Sequence, residues 1–359
     1  MSNNYEDYKP LNPLPPRRRR SKFVAFTQGL VIVILVIAIA GSAAFFVMTH
    51  KNSQQTGGYP EDVPTNTTPE TETDAPEQTG KPDESGSGND VNTPPAYEYK
   101  AVEVSNEEVH TGTLAYLSGL YKAVYPTNAE LTRIYGKTEG AYMLSSADIV
   151  VRADMIPQFN AFIKAFTEAT GKGDIVVWTG YRTEERQQQV YDDYVKLHGE
   201  DAAAGNVAKP GESDHHTGYT IGIKVKSNQG YKAPQEVEGY EWLVENCYKF
   251  GFIERYPSDK VSTTGMKYDA ALCLRYVGAP HAEIMKQKNM CLEDYLTFIK
   301  DFKYDGTHFD LTSEDGTAYG VYFCPENTEL ENTLVNVPKE SEFSIVGNNM
   351  DGFVVAFKK

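Results

Sequence analysis

The 359-residue chain is predicted to fold as an α+β domain with a β-rich C-terminal extension. Three observations predict it. Helical periodicity and strand-like apolar runs are mixed without regular β-α-β alternation. After Phe302 the helical pattern gives way to β-branched and aromatic runs broken by Pro, Asn and Gly. Hydrophobic residues make up 40% of the chain, with 24 Tyr and 16 Phe, enough for a core of that size.

Three segments precede the folded part. Residues 1–22 end in the basic run "RRRRSK" and form an expected cytoplasmic tail. Residues 23–48, "FVAFTQGLVIVILVIAIAGSAAFFVM", carry no charge over 26 positions. A bilayer core needs roughly 20 apolar residues as helix, so this stretch is predicted to span the membrane as a signal anchor. It is too long for the apolar region of a cleaved signal peptide. The flanking arginines keep the N-terminus inside and send the rest out of the cytoplasm. Residues 49–96 are rich in Pro, Thr, Glu and Ser, and 51–96 lack Leu, Ile, Met, Phe and Trp altogether. They are expected to form an extended, disordered tether.

The net charge of −16 excludes a nucleic-acid partner, which demands basic surface. Much of that charge is local, with ten acidic residues against two lysines between Lys51 and Tyr99. Of the four cysteines, Cys247 sits among apolar residues at helical spacing in "WLVENCYKFGF" and reads as a buried thiol. The pairing of Cys247, Cys273, Cys291 and Cys324 is left open by their spacing.

Within 97–302 the elements follow from local pattern. Ile156, Phe159, Phe162, Ile163 and Phe166 share one helical face that closes at Gly171. "DIVVWTGYR" is a buried strand ending in a turn at Gly180, and Thr183 then caps a polar helix, "EERQQQVYDDYVKLHG". "TIGIKV" alternates as a half-buried strand. "GYEWLVENCYKFGF" is helical, "LCLRYVG" a strand and "CLEDYLTFIKDF" a short amphipathic helix. Residues 303–359 are predicted as a small β extension.

Five blocks, "WTGYRTEERQQQVY", "KPGESDHHTGYTIGI", "WLVENCYKFGFIERYP", "TGMKY" and "LRYVGAPHAEIMKQKNMCLEDYL", together resemble the VanY-type D-alanyl-D-alanine carboxypeptidases over roughly 105–300. These are zinc peptidases of the lysostaphin and hedgehog fold group. The resemblance implies a zinc held by a His and an Asp of the pattern Ser-x-His-x-x-Gly-x-x-x-Asp and by a later His, with a Glu as general base. Three ligands and an open position for water are what catalytic zinc requires. The pattern's serine falls on Ser213, its first ligand on His215 and its glycine on Gly218. Its aspartate falls on Gly222, the later histidine on Cys273 and the general base on Ala270. His215 is thus the one metal ligand retained by type, and no catalytic residue is intact. Asp269, one residue before the base position, would need a bulge to replace it.

Arg182 and Gln187, with Tyr181 and Ser213 beside them, are the candidate substrate contacts; Arg182 suits a carboxylate, and Tyr181 reads mainly as packing. The bland alternative for Arg182 is a surface ion pair with Glu184 or Glu185. Lys224, two residues beyond Gly222 on the same strand face, either stands in for part of the lost metal charge or snorkels to solvent. His216 and Asp214 are expected to face away from His215. His110, His281 and His308 read as surface or loop histidines, and "ERYP" and "RYVG" as scaffold.

The expectation is a membrane-anchored pseudoenzyme facing the cell wall. It would bind peptidoglycan stem peptide or a cell-wall protein without cleaving it and without a cofactor. The alternatives are a working D,D-carboxypeptidase with zinc and rearranged ligands, and a non-catalytic wall-binding module.

Overall fold

The phenylalanine face of the first long helix finds its partner in a mixed sheet. The computed structural model describes residues 97–359 apart from 122–124 and 268–270. The expected tail, membrane span and tether lie outside the described residues. Among the described residues, no helix is long and apolar enough to cross a membrane.

The strands are β1 (Tyr99–Ser105), β2 (Leu131–Arg133), β3 (Met143–Leu144), β4 (Val150–Arg152), β5 (Ile175–Thr179), β6 (Thr220–Ser227), β7 (Gly230–Lys232), β8 (Phe252–Glu254) and β9 (Leu272–Tyr276). In the C-terminal part follow β10 (Phe309–Thr312), β11 (Ala318–Pro325), β12 (Asn332–Pro338), β13 (Phe343–Gly347) and β14 (Gly352–Lys358). The two long helices are α1 (Ile156–Thr170) and α2 (Glu184–His198).

The central sheet runs β3-β5-β6-β9-β8, with β7 extending β6. One face carries Ile175 and Val177 of β5, Ile221 and Ile223 of β6, and Leu272 and Leu274 of β9, all buried against Phe159, Phe162, Ile163 and Phe166 of α1. Truncating one such phenylalanine to alanine typically costs about 3–5 kcal/mol. Gly171 closes α1 in the left-handed region, at φ 70°, as expected. β6 is almost wholly buried rather than half-buried, because it lies between β5 and β9 and both faces are covered.

The C-terminal segment is more than an attachment. Its sheet runs β10-β11-β14-β13 and is buried on both sides. Val321, Phe323, Val354 and Ala356 pack with Leu292, Tyr295 and Leu296 from the preceding helical region. The alternate residues Tyr322, Cys324, Phe353, Val355 and Phe357 pack on the other side with Val104, Val335 and Val337. Those last residues belong to a separate ribbon in which β1 pairs antiparallel with β12, from Tyr99 opposite Pro338 to Ser105 opposite Asn332. The segments expected to divide near Phe302 therefore share cores, and the first strand of 97–302 packs with the extension. Cys247, Cys291 and Cys324 are buried free thiols.

Of the histidines expected at the surface or in loops, His281 opens a helix and is buried, while His308 does lie in a loop but is buried too. His281 is buried, with Nδ1 2.6 Å from the Tyr295 hydroxyl, and burial pushes its imidazole down to about 4. His308 lies 2.9 Å from the Tyr99 hydroxyl and stacks on Tyr322.

Candidate functional site

The face of the central sheet opposite α1 meets a turn that places two histidines side by side. Asp214–Thr217 form a single 3₁₀ turn rather than extended chain, ending at Gly218. His215 and His216 still diverge, because each is claimed by a different carbonyl. His215 Nδ1 donates to the Gly180 carbonyl at 2.8 Å, and His216 Nδ1 donates to the Arg182 carbonyl at 2.7 Å. A carbonyl only accepts, so both imidazoles carry their proton on Nδ1. His216 Nε2 then accepts from the Gly211 N–H at 3.1 Å. Arg182 N–H returns to the His215 carbonyl at 3.2 Å, lacing the turn after β5 to the histidine turn.

The Gly180 position needs a glycine: a Cβ there would lie 2.4 Å from the Val150 carbonyl oxygen. Beyond it, Thr183 caps α2 by accepting from the Arg186 N–H, as the sequence predicts. Arg182 Nη1 donates to Gln187 Oε1 at 3.1 Å, and the buried Gln187 is itself held by Nε2 donating to the Ala208 carbonyl at 2.7 Å. Tyr181, Arg182, Gln187, Ser213 and His215 all line one cleft of about 710 Å³. The four expected substrate contacts and the retained histidine are thus brought together. A neighbouring cavity of about 560 Å³ shares Val207, Ala208, Tyr256 and Met266 with it.

Below the histidine turn lies a charge network that sequence reasoning left as scaffold. Asp214 Oδ2 accepts from Arg255 Nε at 3.0 Å and Arg275 Nη1 at 2.9 Å, and Arg255 forks onto Glu293 at 2.8 and 3.1 Å. Asp214, Arg255 and Arg275 are at most 2% exposed. Burial raises the Asp214 carboxyl, but Arg255 and Arg275 outweigh it and hold the group below its ordinary range. "ERYP" supplies Arg255 and "RYVG" supplies Arg275, so both blocks do serve as scaffold, directly beneath the candidate site.

The metal position is where this chain departs. Thr179, Gly222 and Cys273 stand opposite one another across β5, β6 and β9. His215 Nε2 faces the Thr179 hydroxyl at 3.5 Å and the Cys273 thiol at 3.8 Å. Burial, then the nearby Arg182 guanidinium, hold the His215 imidazole well below its usual range, so it is neutral. Gly222 supplies no ligand atom, and among the described residues no three His, Cys, Asp or Glu side chains converge on one point. These residues do not fit the three-ligand zinc centre that the resemblance implies. Ala270 and Asp269, at and beside the expected base position, lie outside the described residues. Lys224 neither fills the metal position nor simply reaches to solvent: its Nζ lies 4.5 Å from the centre of the Trp178 ring, at the cleft wall. Sequence reasoning missed Thr179, whose place depends on cross-strand register.

Comparisons with known proteins point to the family that the sequence blocks resemble. The profile of the D-alanyl-D-alanine carboxypeptidase family VanY matches residues 148–279, which span the histidine turn and β9. A D-alanyl-D-alanine carboxypeptidase of Enterococcus faecium is 28% identical over 256 residues, covering 70% of this chain and 77% of the relative. One from Enterococcus faecalis is 38% identical over 130 residues, covering 34% of this chain; the chain spans 47% of that relative's length. Among solved structures, the vancomycin resistance D,D-dipeptidase VanXYg, in complex with a D-Ala-D-Ala phosphinate analog, superposes with a TM-score of 0.63 at 25% identity. That match covers 73% of this chain and 100% of the other.

Proposed function

The chain belongs to the VanY-type D-alanyl-D-alanine carboxypeptidase family, and from that premise we propose that it binds peptidoglycan stem peptides by their terminal carboxylate without cleaving them. In this reading it acts outside the cytoplasm, held to the membrane by residues 23–48. One observation carries the proposal: the two ends of a single cleft have been treated differently. At one end Arg182 is positioned by Gln187 and by backbone bonds to both histidines. At the other, the metal position is occupied by a hydroxyl, a glycine and a thiol. A guanidinium suits a carboxylate, offering two parallel donors in one plane. The adjoining cavity gives room for a peptide longer than its last two residues.

Titration of the full-length chain with a peptide ending in D-Ala-D-Ala, as free acid and as amide, tests this. Binding of the free acid in the micromolar to millimolar range is expected, roughly −8 to −4 kcal/mol. Arg182→Ala weakens it by about 1–3 kcal/mol. Arg182→Lys restores little, because an ammonium lacks the planar fork. Equal affinity for acid and amide sinks the carboxylate reading, and release of D-alanine by the wild-type chain sinks the non-cleaving one.

A further inference from the structure

Thr179 owes its position to a break in the sheet. Along β5 and β6 the register passes from Val177 opposite Ile223 directly to Thr179 opposite Gly222, so Trp178 is an inserted residue. A bulge of this kind re-aims the side chain that follows it. Without it Trp178 would oppose Gly222; with it the Thr179 hydroxyl points across at Gly222. A Cβ on Gly222 would lie 2.5 Å from Thr179 Oγ1, 3.7 Å from Thr179 Cβ and 3.5 Å from Ala271 Cβ. Only the first of these is closer than contact allows. Threonine is branched at Cβ, so turning χ1 to clear that oxygen moves a methyl and a hydroxyl together and gives up the approach to His215.

We propose that Thr179 closes the metal position: its hydroxyl fills the space through which a carboxylate at 222 would enter and, with the Cys273 thiol, faces the lone pair of His215 Nε2 in place of an ion. The inference rests on the reading that this cleft works without zinc, and it assigns the loss to a matched pair, Thr179 with Gly222. A buried imidazole lone pair left bare carries a desolvation cost, which the long contacts to these two polar groups, at 3.5 and 3.8 Å, lessen. The pair also makes the loss hard to reverse. A side chain regained at 222 meets Thr179 first.

A double-mutant cycle on the full-length chain reads the coupling without any metal. Gly222→Ala lowers the melting temperature by about 5 °C or more in the wild-type background. In a Thr179→Ala background the same change costs less than half as much. Zinc content gives a second readout: Gly222→Asp with Cys273→His takes up little zinc, and adding Thr179→Ala brings it close to one equivalent. Additive temperature shifts, or full zinc uptake while Thr179 is kept, overturn the Thr179 assignment alone. Stoichiometric zinc on the wild-type chain overturns both this assignment and the metal-free reading beneath it.

Discussion

The two ends of the cleft rest on the same turn, yet they match the pattern of the resemblance unequally: Arg182 and Gln187 are present at one, while Gly222 and Cys273 stand at two ligand positions of the other. At the Arg182 end the guanidinium is held by the Gln187 side chain, and His216 and Gln187 are themselves fixed on backbone groups of the Arg182, Gly211 and Ala208 positions. At the metal end the ligand positions implied by the resemblance are side chains on the histidine turn, β6 and β9, and glycine at 222 supplies none. The comparison also explains why His215 survives at the metal end. Its Nδ1 belongs to the structural lacing, whatever its Nε2 faces.

The largest test of this contrast is aimed beneath both ends. Asp214→Ala leaves Arg255 and Arg275 buried without their shared carboxylate, a change that typically costs about 3–5 kcal/mol. Denaturant unfolding of the full-length chain should show that loss, and peptide binding should fall with it. A cost under about 1 kcal/mol would mean that the two ends do not share this foundation.

A smaller effect separates the ends from each other. His216→Ala frees the Arg182 carbonyl and the Gly211 N–H, both only part-buried and open to water, so the two together cost about 1–3 kcal/mol. Affinity for the free-acid peptide should drop at least about threefold, while the stability change stays below that of Asp214→Ala. His215→Ala should affect peptide affinity less, since it faces the altered end. If His215→Ala proves the more damaging to binding, the division drawn here is wrong.

The smallest expected effect is a pH dependence behind the altered end. Glu254 shares a cavity of about 140 Å³ with Cys273. Burial, with a lesser push from Asp259, raises its carboxyl from 4.5 to about 7. The folded state therefore holds this proton more tightly than the unfolded state. The stability it contributes is complete below pH 4.5 and is lost as pH rises through about 7. Glu254→Gln should flatten that decline in urea midpoints measured between about pH 5 and 8. An unchanged slope would place the titration elsewhere.

Sequence pattern made much of this legible where the cause is local. The α1 face, the Gly171 stop and the Thr183 cap each depend on residues within a few positions of one another. The correspondences at Gly222 and Cys273 came from the resemblance, counted along its motifs, and the register sets those two residues opposite each other on neighbouring strands. What could not be read depends on register and long-range pairing. Thr179 meets Gly222 only because Trp178 is inserted in the ladder. The Asp214 network draws on residues from three distant stretches, and lone histidines such as His281 and His308 carry no periodic signal to mark them as buried.

The pairing of β1 with β12 also bears on how the chain reaches this state. Asn332 donates to Glu103 across 229 positions, so the first strand has no partner until nearly all the rest has been made. Contacts that close so large a loop form late and slow the search. Until they do, β1 is an open edge with its N–H and C=O groups free to pair with another chain. Truncation at the C-terminus would therefore expose the beginning of the domain as well as remove its end, and self-association of β1 would be its first symptom.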